Sequence, residues 1–184
     1  MGGFMSSIVL SGDTSGAVTV NVPSVAGTNT VTIPAVTGTV MVSSNMPAFS
    51  AYNNTTQSLA ASTYVKLAIN TKEFDTNSNY DNTTNYRFTP TVAGYYQVNG
   101  AMGLGTAVNN CQLAIYKNGS NYKGGNESGS VNLSAYAVTV NSLVYLNGST
   151  DYIELYGYQG SGSTINTSAG IGNTYFNACM VRTA

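Results

Sequence analysis

The sequence predicts an all-β protein built from antiparallel sheet, and three observations carry that prediction. The first is residues 86–99, Tyr-Arg-Phe-Thr-Pro-Thr-Val-Ala-Gly-Tyr-Tyr-Gln-Val-Asn, where Tyr86 and Phe88 alternate into a Pro-to-Gly corner and Tyr96 and Val98 alternate out of it. Period-two spacing puts the apolar side chains of each run on one face. Pro90, without a ladder donor, and Gly94, tolerant of positive φ, suit the connection. The second observation is composition: only 7% of the 184 residues are charged, His and Trp are absent, and Gly numbers 20 and Tyr 14 in a background of Thr, Asn, Ser and Val. Such residues favour strands and tight turns, and a chain this poor in Glu, Lys and Arg lacks a solvated helix face. The third is that no stretch follows a 3.6-residue period.

Taken in order, residues 1–45 read as an N-terminal anchor and β-repeat stalk. Ile8, Val9 and Leu10 form its first apolar run. Val18-Thr19-Val20-Asn21-Val22-Pro23-Ser24-Val25-Ala26-Gly27-Thr28 is then echoed, with a two-residue deletion, by Val31-Thr32-Ile33-Pro34-Ala35-Val36-Thr37-Gly38-Thr39. Each copy predicts a short alternating strand on Val18 and Val20 or on Val31 and Ile33, a Pro break, a second short strand and a Gly turn. One such hairpin has too little apolar face to offset its ordering entropy, so three copies around an axis are expected to share a core. The composition turns to Asn and Tyr at Ser43-Ser44-Asn45-Met46-Pro47, which marks residues 46–184 as a second domain. A domain of that size buries about two thirds of its unfolded surface and needs neither disulfide nor metal.

Within the second domain, Pro47-Ala48-Phe49-Ser50-Ala51 opens the region, Phe88-Thr89-Pro90-Thr91-Val92-Ala93-Gly94-Tyr95-Tyr96 stands at its centre, and Tyr175-Phe176-Asn177-Ala178-Cys179-Met180-Val181 closes it. Between them lie Leu113 to Gly119, ending Lys-Asn-Gly, and Leu143 to Leu155, a Leu-x-x-Gly-Asp hairpin whose Gly-Asp step is interrupted by Ser149-Thr150. In this order the motifs resemble the globular head of the complement q subcomponent and the related tumour-necrosis-factor jelly rolls. The resemblance implies a ten-strand-like antiparallel jelly-roll sandwich and a compact homotrimer, one sheet of each subunit facing the three-fold axis. Phe49, Phe88, Tyr96, Tyr175 and Phe176 are the candidate aromatics of the core or of the trimer contact.

Residues 8–42, with Ser11-Gly12-Asp13-Thr14-Ser15-Gly16 and Thr37-Gly38-Thr39-Val40, also resemble a segment common in phage tail-fibre and virion-appendage proteins. Together the two resemblances imply a virion protein assembled in the host cytoplasm. Its expected form is a short trimeric fibre whose N-terminus docks on other virion proteins and whose head binds a host-surface glycan or protein. The alternative is a capsid cement, decoration or head-fibre protein that stabilises the shell.

The chemistry of the remaining residues favours binding over catalysis. With no His, neither a Ser/His nor a Cys/His nucleophile can be built, and no zinc set is present. The carboxylates fall near strand ends, and Glu73 and Asp75 read as a solvated edge. An enzyme and a cofactor are therefore not expected, no metal-ligand residues are assigned, and a calcium ion is left open because no full set of oxygen ligands can be mapped. Lys66, Lys72, Arg87, Lys117, Lys123 and Arg182 are scattered and the net charge is −1, so nucleic acid is not an expected partner. No run approaches the ~20 apolar residues of a membrane span, and Met1 to Leu10 lacks the pattern of a secretion signal. Cys111 and Cys179 read as two small buried hydrophobes, with a disulfide between them left open by spacing. Stretches 120–136 and 157–172 read as loops mixing aromatic rings with neutral amides. Tyr122, Asn126, Tyr158, Gln159 and Asn166 are expected to meet the host surface there, at one distal end, while Tyr136 and Tyr156 pack in the sheet or against another subunit.

Overall fold

The computed structural model describes residues 7–21, 23–25, 27–32, 35–38, 40–108, 110–129 and 137–184. Contacts divide the chain into two units, Met1–Gly38 and Thr39–Ala184.

The first unit contains an antiparallel hairpin of β1 (Ser7–Ser11) and β2 (Ala17–Asn21). Its turn is closed by Gly12 N–H donating to Gly16 C=O at 3.0 Å, with Gly16 at φ +77°. Ile8 pairs with Val20 and Leu10 with Val18, so alternation gathers these four side chains on one face. All four are more than half exposed. Of the second copy of the repeat, Val31 and Thr32 are irregular where a strand is expected, and Ile33 lies outside the described residues. Among the described residues this segment has no neighbour to complete a ladder, and an unpaired strand leaves its backbone groups to water.

The second unit is a sandwich. Its strands are β3 (Ala48–Tyr52), β4 (Ser58–Leu59), β5 (Tyr64–Lys66), β6 (Thr71–Asp75), β7 (Tyr80–Asp81), β8 (Arg87–Phe88), β9 (Ala93–Gly103), β10 (Asn110–Lys117), β11 (Ser120–Gly129), β12 (Ala137–Asn147), β13 (Ile153–Gln159), β14 (Ile165–Asn166) and β15 (Tyr175–Thr183). A front sheet runs β12-β9-β15-β3-β6, and a back sheet runs β11-β10-β13-β8-β7 with β5 also paired to β13. Every pairing is antiparallel, and β14 with β4 forms a separate short ribbon. The sole helical turn among the described residues is the 3-10 turn Ser43–Asn45.

The core lies between the sheets. Phe49 from the front stacks on Tyr80 at 4.4 Å and Phe88 at 4.7 Å from the back, and meets Phe176 edge-on at 5.2 Å. Phe88 meets Tyr96 at 5.6 Å. Such pairs contribute roughly 0.5–1.5 kcal/mol each beyond the area they bury. The two buried phenols are satisfied, Tyr80 donating to the Ile69 carbonyl at 2.9 Å and Tyr96 to that of Val92 at 2.7 Å. Burial pushes both well above the usual tyrosine range.

Three local expectations are corrected. Residues 86–99 do not make a hairpin within one sheet: β8 belongs to the back sheet and β9 to the front, so the Pro90 corner carries the chain across the core. Tyr86 stands outside the strand at φ +50°. Gly94 is already in β9, where it is required by close approach, because a Cβ there would lie 2.5 Å from the Arg182 carbonyl oxygen. The cysteines also part: Cys111 is buried on β10, whereas Cys179 is exposed on the outward side of β15, and no disulfide joins them. In β15 the inward positions are Phe176, Ala178 and Met180, so parity turns Cys179 outward.

The interrupted Gly-Asp step closes through side chains. Asn147 Oδ1 accepts from the N–H groups of Ser149, Thr150 and Asp151 at 2.9–3.0 Å, with Gly148 at φ +71°.

Candidate functional site

Each sheet turns one set of side chains to the core and the alternate set outward, so the candidate surfaces follow from register. On the front sheet the outward set forms rows across the strands. One row is Leu143, Gln97, Cys179 and Ala48, and the next is Asn141, Asn99, Asn177 and Ser50. Amides knit the second row, Asn99 donating to Asn177 at 3.0 Å and Gln97 to Asn99 at 3.2 Å. Around this polar strip Leu143, Val181, Phe74, Tyr145 and Tyr95 are 54, 55, 52, 41 and 38% exposed. The charges near it are few: Glu73 accepts from Ser50 at 2.7 Å, the Arg182 guanidinium lies 5.7 Å from the Tyr95 ring, and Lys117 Nζ lies 5.6 Å from the Tyr145 ring. Depletion of charge with retention of aromatic and aliphatic surface is the composition of an interface centre.

The outward side of the back sheet is built differently. Register sets Tyr64 beside Tyr158 beside Gln112, then Lys66 beside Tyr156 beside Ala114, then Arg87 beside Glu154 beside Tyr116. Tyr116 and Tyr156 stack with centroids 3.8 Å apart, and Tyr64 lies 5.4 Å from Tyr158. The Tyr64 hydroxyl donates to Gln112 Oε1. Lys66 Nζ meets Glu154 Oε1 at 2.8 Å, and Arg87 sits over the Tyr152 ring at 4.4 Å. Burial pushes the Tyr116 and Tyr156 phenols up, and the Glu154 carboxylate adds to the effect at Tyr156.

This arrangement, two antiparallel sheets in the strand order above, has counterparts among solved structures. No protein-family model matches the chain, and no curated protein sequence matches it. The chain is similar to Eiger TNF from S. frugiperda, with TM-score 0.61 and 7% identity over 76% of this chain and 95% of that one. It is similar to murine APRIL, with TM-score 0.58 and 8% identity over 74% and 99%. It is also similar to PRD1 vertex protein P5, with TM-score 0.52 and 12% identity over 76% and 98%. The fold is a TNF-like jelly roll. At these identities the likeness speaks for the fold alone.

Within the jelly roll the expected surface residues do not converge. Tyr122 and Tyr158 both lie in strands, not loops. Tyr158 pairs with Gln112 at one end of β10, whereas Tyr122 sits beside the Lys117–Ser120 turn at the other, 5.9 Å from Lys117 and 5.2 Å from Lys123 by ring centroid. Five residues of extended chain separate those ends by about 17 Å. One distal patch holding both is therefore corrected. Gln159 is fully buried, donating to the carbonyls of Leu59 and Ser163 at 3.1 and 2.8 Å and accepting from Ser161 N–H at 2.8 Å. It shapes the following loop and does not reach a ligand, which corrects its assignment to the surface. Asn166 is exposed, accepts from Ser58 at 3.0 Å, and lines an open cleft of about 560 Å³ with Thr56, Thr106 and Thr164. Asn126 lies in β11 with its side chain outside the described residues, as does Tyr136 altogether. Tyr156 packs in the sheet against Tyr116. Of the core-or-trimer aromatics, Phe49, Phe88, Tyr96 and Phe176 are in the core, and Tyr175 faces outward on the front sheet.

Tyr64, Gln112 and Tyr116 were not singled out from the sequence. The signal is present as alternation, Tyr64-Val65-Lys66 and Gln112-Leu113-Ala114-Ile115-Tyr116, but only register shows that these side chains share a surface.

Among the described residues no helix is long and apolar enough to cross a membrane, and no group of three or more His, Cys, Asp and Glu side chains is placed to hold a metal ion.

Proposed function

We propose that this chain is a non-enzymatic structural protein of a phage virion, a homotrimeric short fibre or appendage. In this reading the front sheets of three jelly rolls pack together, the N-terminal hairpins pool their apolar faces, and the head meets a host-surface glycan or protein. The observation that carries the proposal is the front face itself, where Leu143, Val181, Tyr145 and Tyr95 stand open around the Asn99–Asn177 strip, with charge confined to its edges at Glu73, Lys117 and Arg182. The exposed stripe of Ile8, Leu10, Val18 and Val20 supports the same assembly, because a two-stranded hairpin in water is marginal until its apolar face is covered. The jelly-roll likeness to a vertex protein supports a virion location and also favours the second reading, a cement or decoration protein on the shell.

Light scattering of the purified chain across micromolar concentrations tests the assembly. A trimer mass is expected, and a persistent monomer overturns it. A reconstruction of the source particle separates the two locations, with density at the tail supporting the fibre and density on the shell the cement. Release of oligosaccharide from host polysaccharide, abolished at a single carboxylate, would overturn the non-enzymatic reading.

A further inference from the structure

The back sheet carries large rings where a solvent-facing sheet needs none. We infer that the layer formed by Tyr64, Gln112, Tyr116, Tyr156 and Tyr158 is a binding site for an uncharged saccharide. The inference rests on the trimer reading in one respect only, that the front sheets are buried together and the back sheet is left to water.

Charge selects the class of ligand. The Lys66 ammonium is spent on the Glu154 carboxylate at 2.8 Å and on the Asn85 carbonyl at 3.3 Å. Arg87 lies in register beside the same carboxylate with its guanidinium over Tyr152. Among the described side chains of these rows both cations are engaged, Lys66 by the Glu154 carboxylate and Arg87 by the Tyr152 ring, so the layer presents neither bare to an anionic polymer, a phosphate or a charged peptide. What it offers is ring surface and neutral hydrogen-bonding groups. The hydroxyls of Tyr116, Tyr156 and Tyr158 sit at half-buried positions, and Gln112 keeps its amide N–H₂ while its Oε1 is held by Tyr64. Sugar rings have an apolar C–H face and a periphery of hydroxyls, which matches flat aromatic surface bordered by such groups.

The shape agrees. In the middle row β10 contributes Ala114, fully buried under the rings, and β11 contributes Gly124 directly beside it. A Cβ at Gly124 would find only Gln112 Nε2, 3.9 Å away, so space is open above Gly124. That row also holds Tyr156 and Lys66, so the small pair Ala114 and Gly124 leaves a shallow depression on the β10–β11 side, bordered by Tyr156 within the row and by Gln112 and Tyr116 in the rows on either side. Its walls are already ordered: Tyr116 is stacked on Tyr156, and Tyr64 is held by both Tyr158 and Gln112. Binding therefore immobilises few side chains, a cost that otherwise lowers affinity.

The chain contains 14 Tyr and no Trp, so its ultraviolet emission comes from tyrosine, and the Tyr158 variant separates the contribution of this layer from that of the other rings. The test titrates the full chain with chitohexaose, cellohexaose and mannohexaose as neutral probes and a heparin hexasaccharide as the anionic one. At least one neutral probe is expected to bind and perturb tyrosine emission. Tyr158→Ala is expected to weaken it roughly tenfold and Gln112→Ala less, with trimer mass and melting temperature retained. Tyr158→Leu keeps apolar volume without the ring and serves if the alanine variant does not fold. Binding by none of the neutral probes, binding unchanged in the variants, or preference for heparin each overturns the inference, as does adsorption to host cells that is lost only on protease treatment of their surface. A monomer that still binds the neutral probe through Tyr158 would sink the trimer and leave this site standing.

Discussion

On the back sheet Tyr116 lies against Tyr156, Tyr64 donates to Gln112, and Lys66 meets Glu154; on the front sheet Leu143 and Val181 stand open beside a strip of amides. Both surfaces belong to the same sandwich and share one core, so the contrast does not arise from folding the monomer. A face whose side chains satisfy one another is stable against water by itself. A face that leaves aliphatic and aromatic groups open is completed by something else, and here its low charge suits another copy of the same face. In the proposed reading the two sides take separate tasks, assembly in front and recognition behind.

The strongest way to break the comparison is to remove what the sheets share. Phe49→Ala deletes the ring that touches Tyr80, Phe88 and Phe176, and is expected to cost about 3–5 kcal/mol in urea unfolding, enough to loosen both faces together. A loss confined to the front sheet, seen as hydrogen-exchange protection retained in β10 and β13, would show that the sheets are not one cooperative unit.

The comparison sharpens with Leu143→Glu and Tyr145→Glu. Each places a carboxylate on the open front face, and in the proposed trimer three such charges around an axis repel, more strongly at 143 than at 145, where Lys117 Nζ lies 5.6 Å from the Tyr145 ring. The expected result is a monomer by light scattering with the circular dichroism of the jelly roll intact. The same change at the exposed Tyr122, outside both surfaces, is expected to leave the mass unchanged.

Lys66→Met tests the back. It leaves Glu154, whose side chain is 5% exposed, without its ammonium; since Lys66 is itself 34% exposed, solvent screening reduces the effect to about 1–2 kcal/mol. Urea midpoints give the number, and Lys66→Met with Glu154→Gln is expected to recover most of it. No recovery would mean that the lysine stem, packed on the tyrosines, matters more than its charge.

How much of this could be read beforehand depends on distance along the chain. The core aromatics were legible because alternation is local: Phe88 and Tyr96 each mark the inward side of their own strand. Parity with Ile153 and Leu155 also turns Gln159 inward, and parity with Phe176 and Ala178 turns Cys179 outward, but a polar residue before Gly160-Ser161 looks like loop and a lone thiol looks like core. The split of β8 and β9 between sheets was hidden, since a corner that crosses the core uses the same Pro and Gly as a hairpin. The tyrosine layer was hidden more deeply. Tyr64, Gln112 and Tyr158 become neighbours only through the register of three strands, which no local period encodes.

The smallest expected effect concerns two acidic turns, one within the back sheet and one that links the two sheets. The N–H groups of Thr84 and Thr83 hold the Asp81 carboxyl below the usual carboxylate range, with help from Asn85. Asn118 and Lys117 do the same for Asp151. A carboxylate whose pKa is depressed by folding binds its proton more weakly in the native state, so its contribution is fully present above the ordinary value near 4 and is lost as pH falls through the folded one. Stability is therefore expected to be flat from neutrality down to about pH 5 and to decline below about pH 4. Asp81→Asn and Asp151→Asn should each flatten part of that decline in urea midpoints taken across the acid range. Because Asp151 ties the turn after β12 to the turn after β10, its variant should act on both sheets, whereas that of Asp81, confined to the loop before β8, should loosen the back sheet alone. Equal loss of exchange protection in front and back strands for the Asp81 variant would erase the distinction between the two sides.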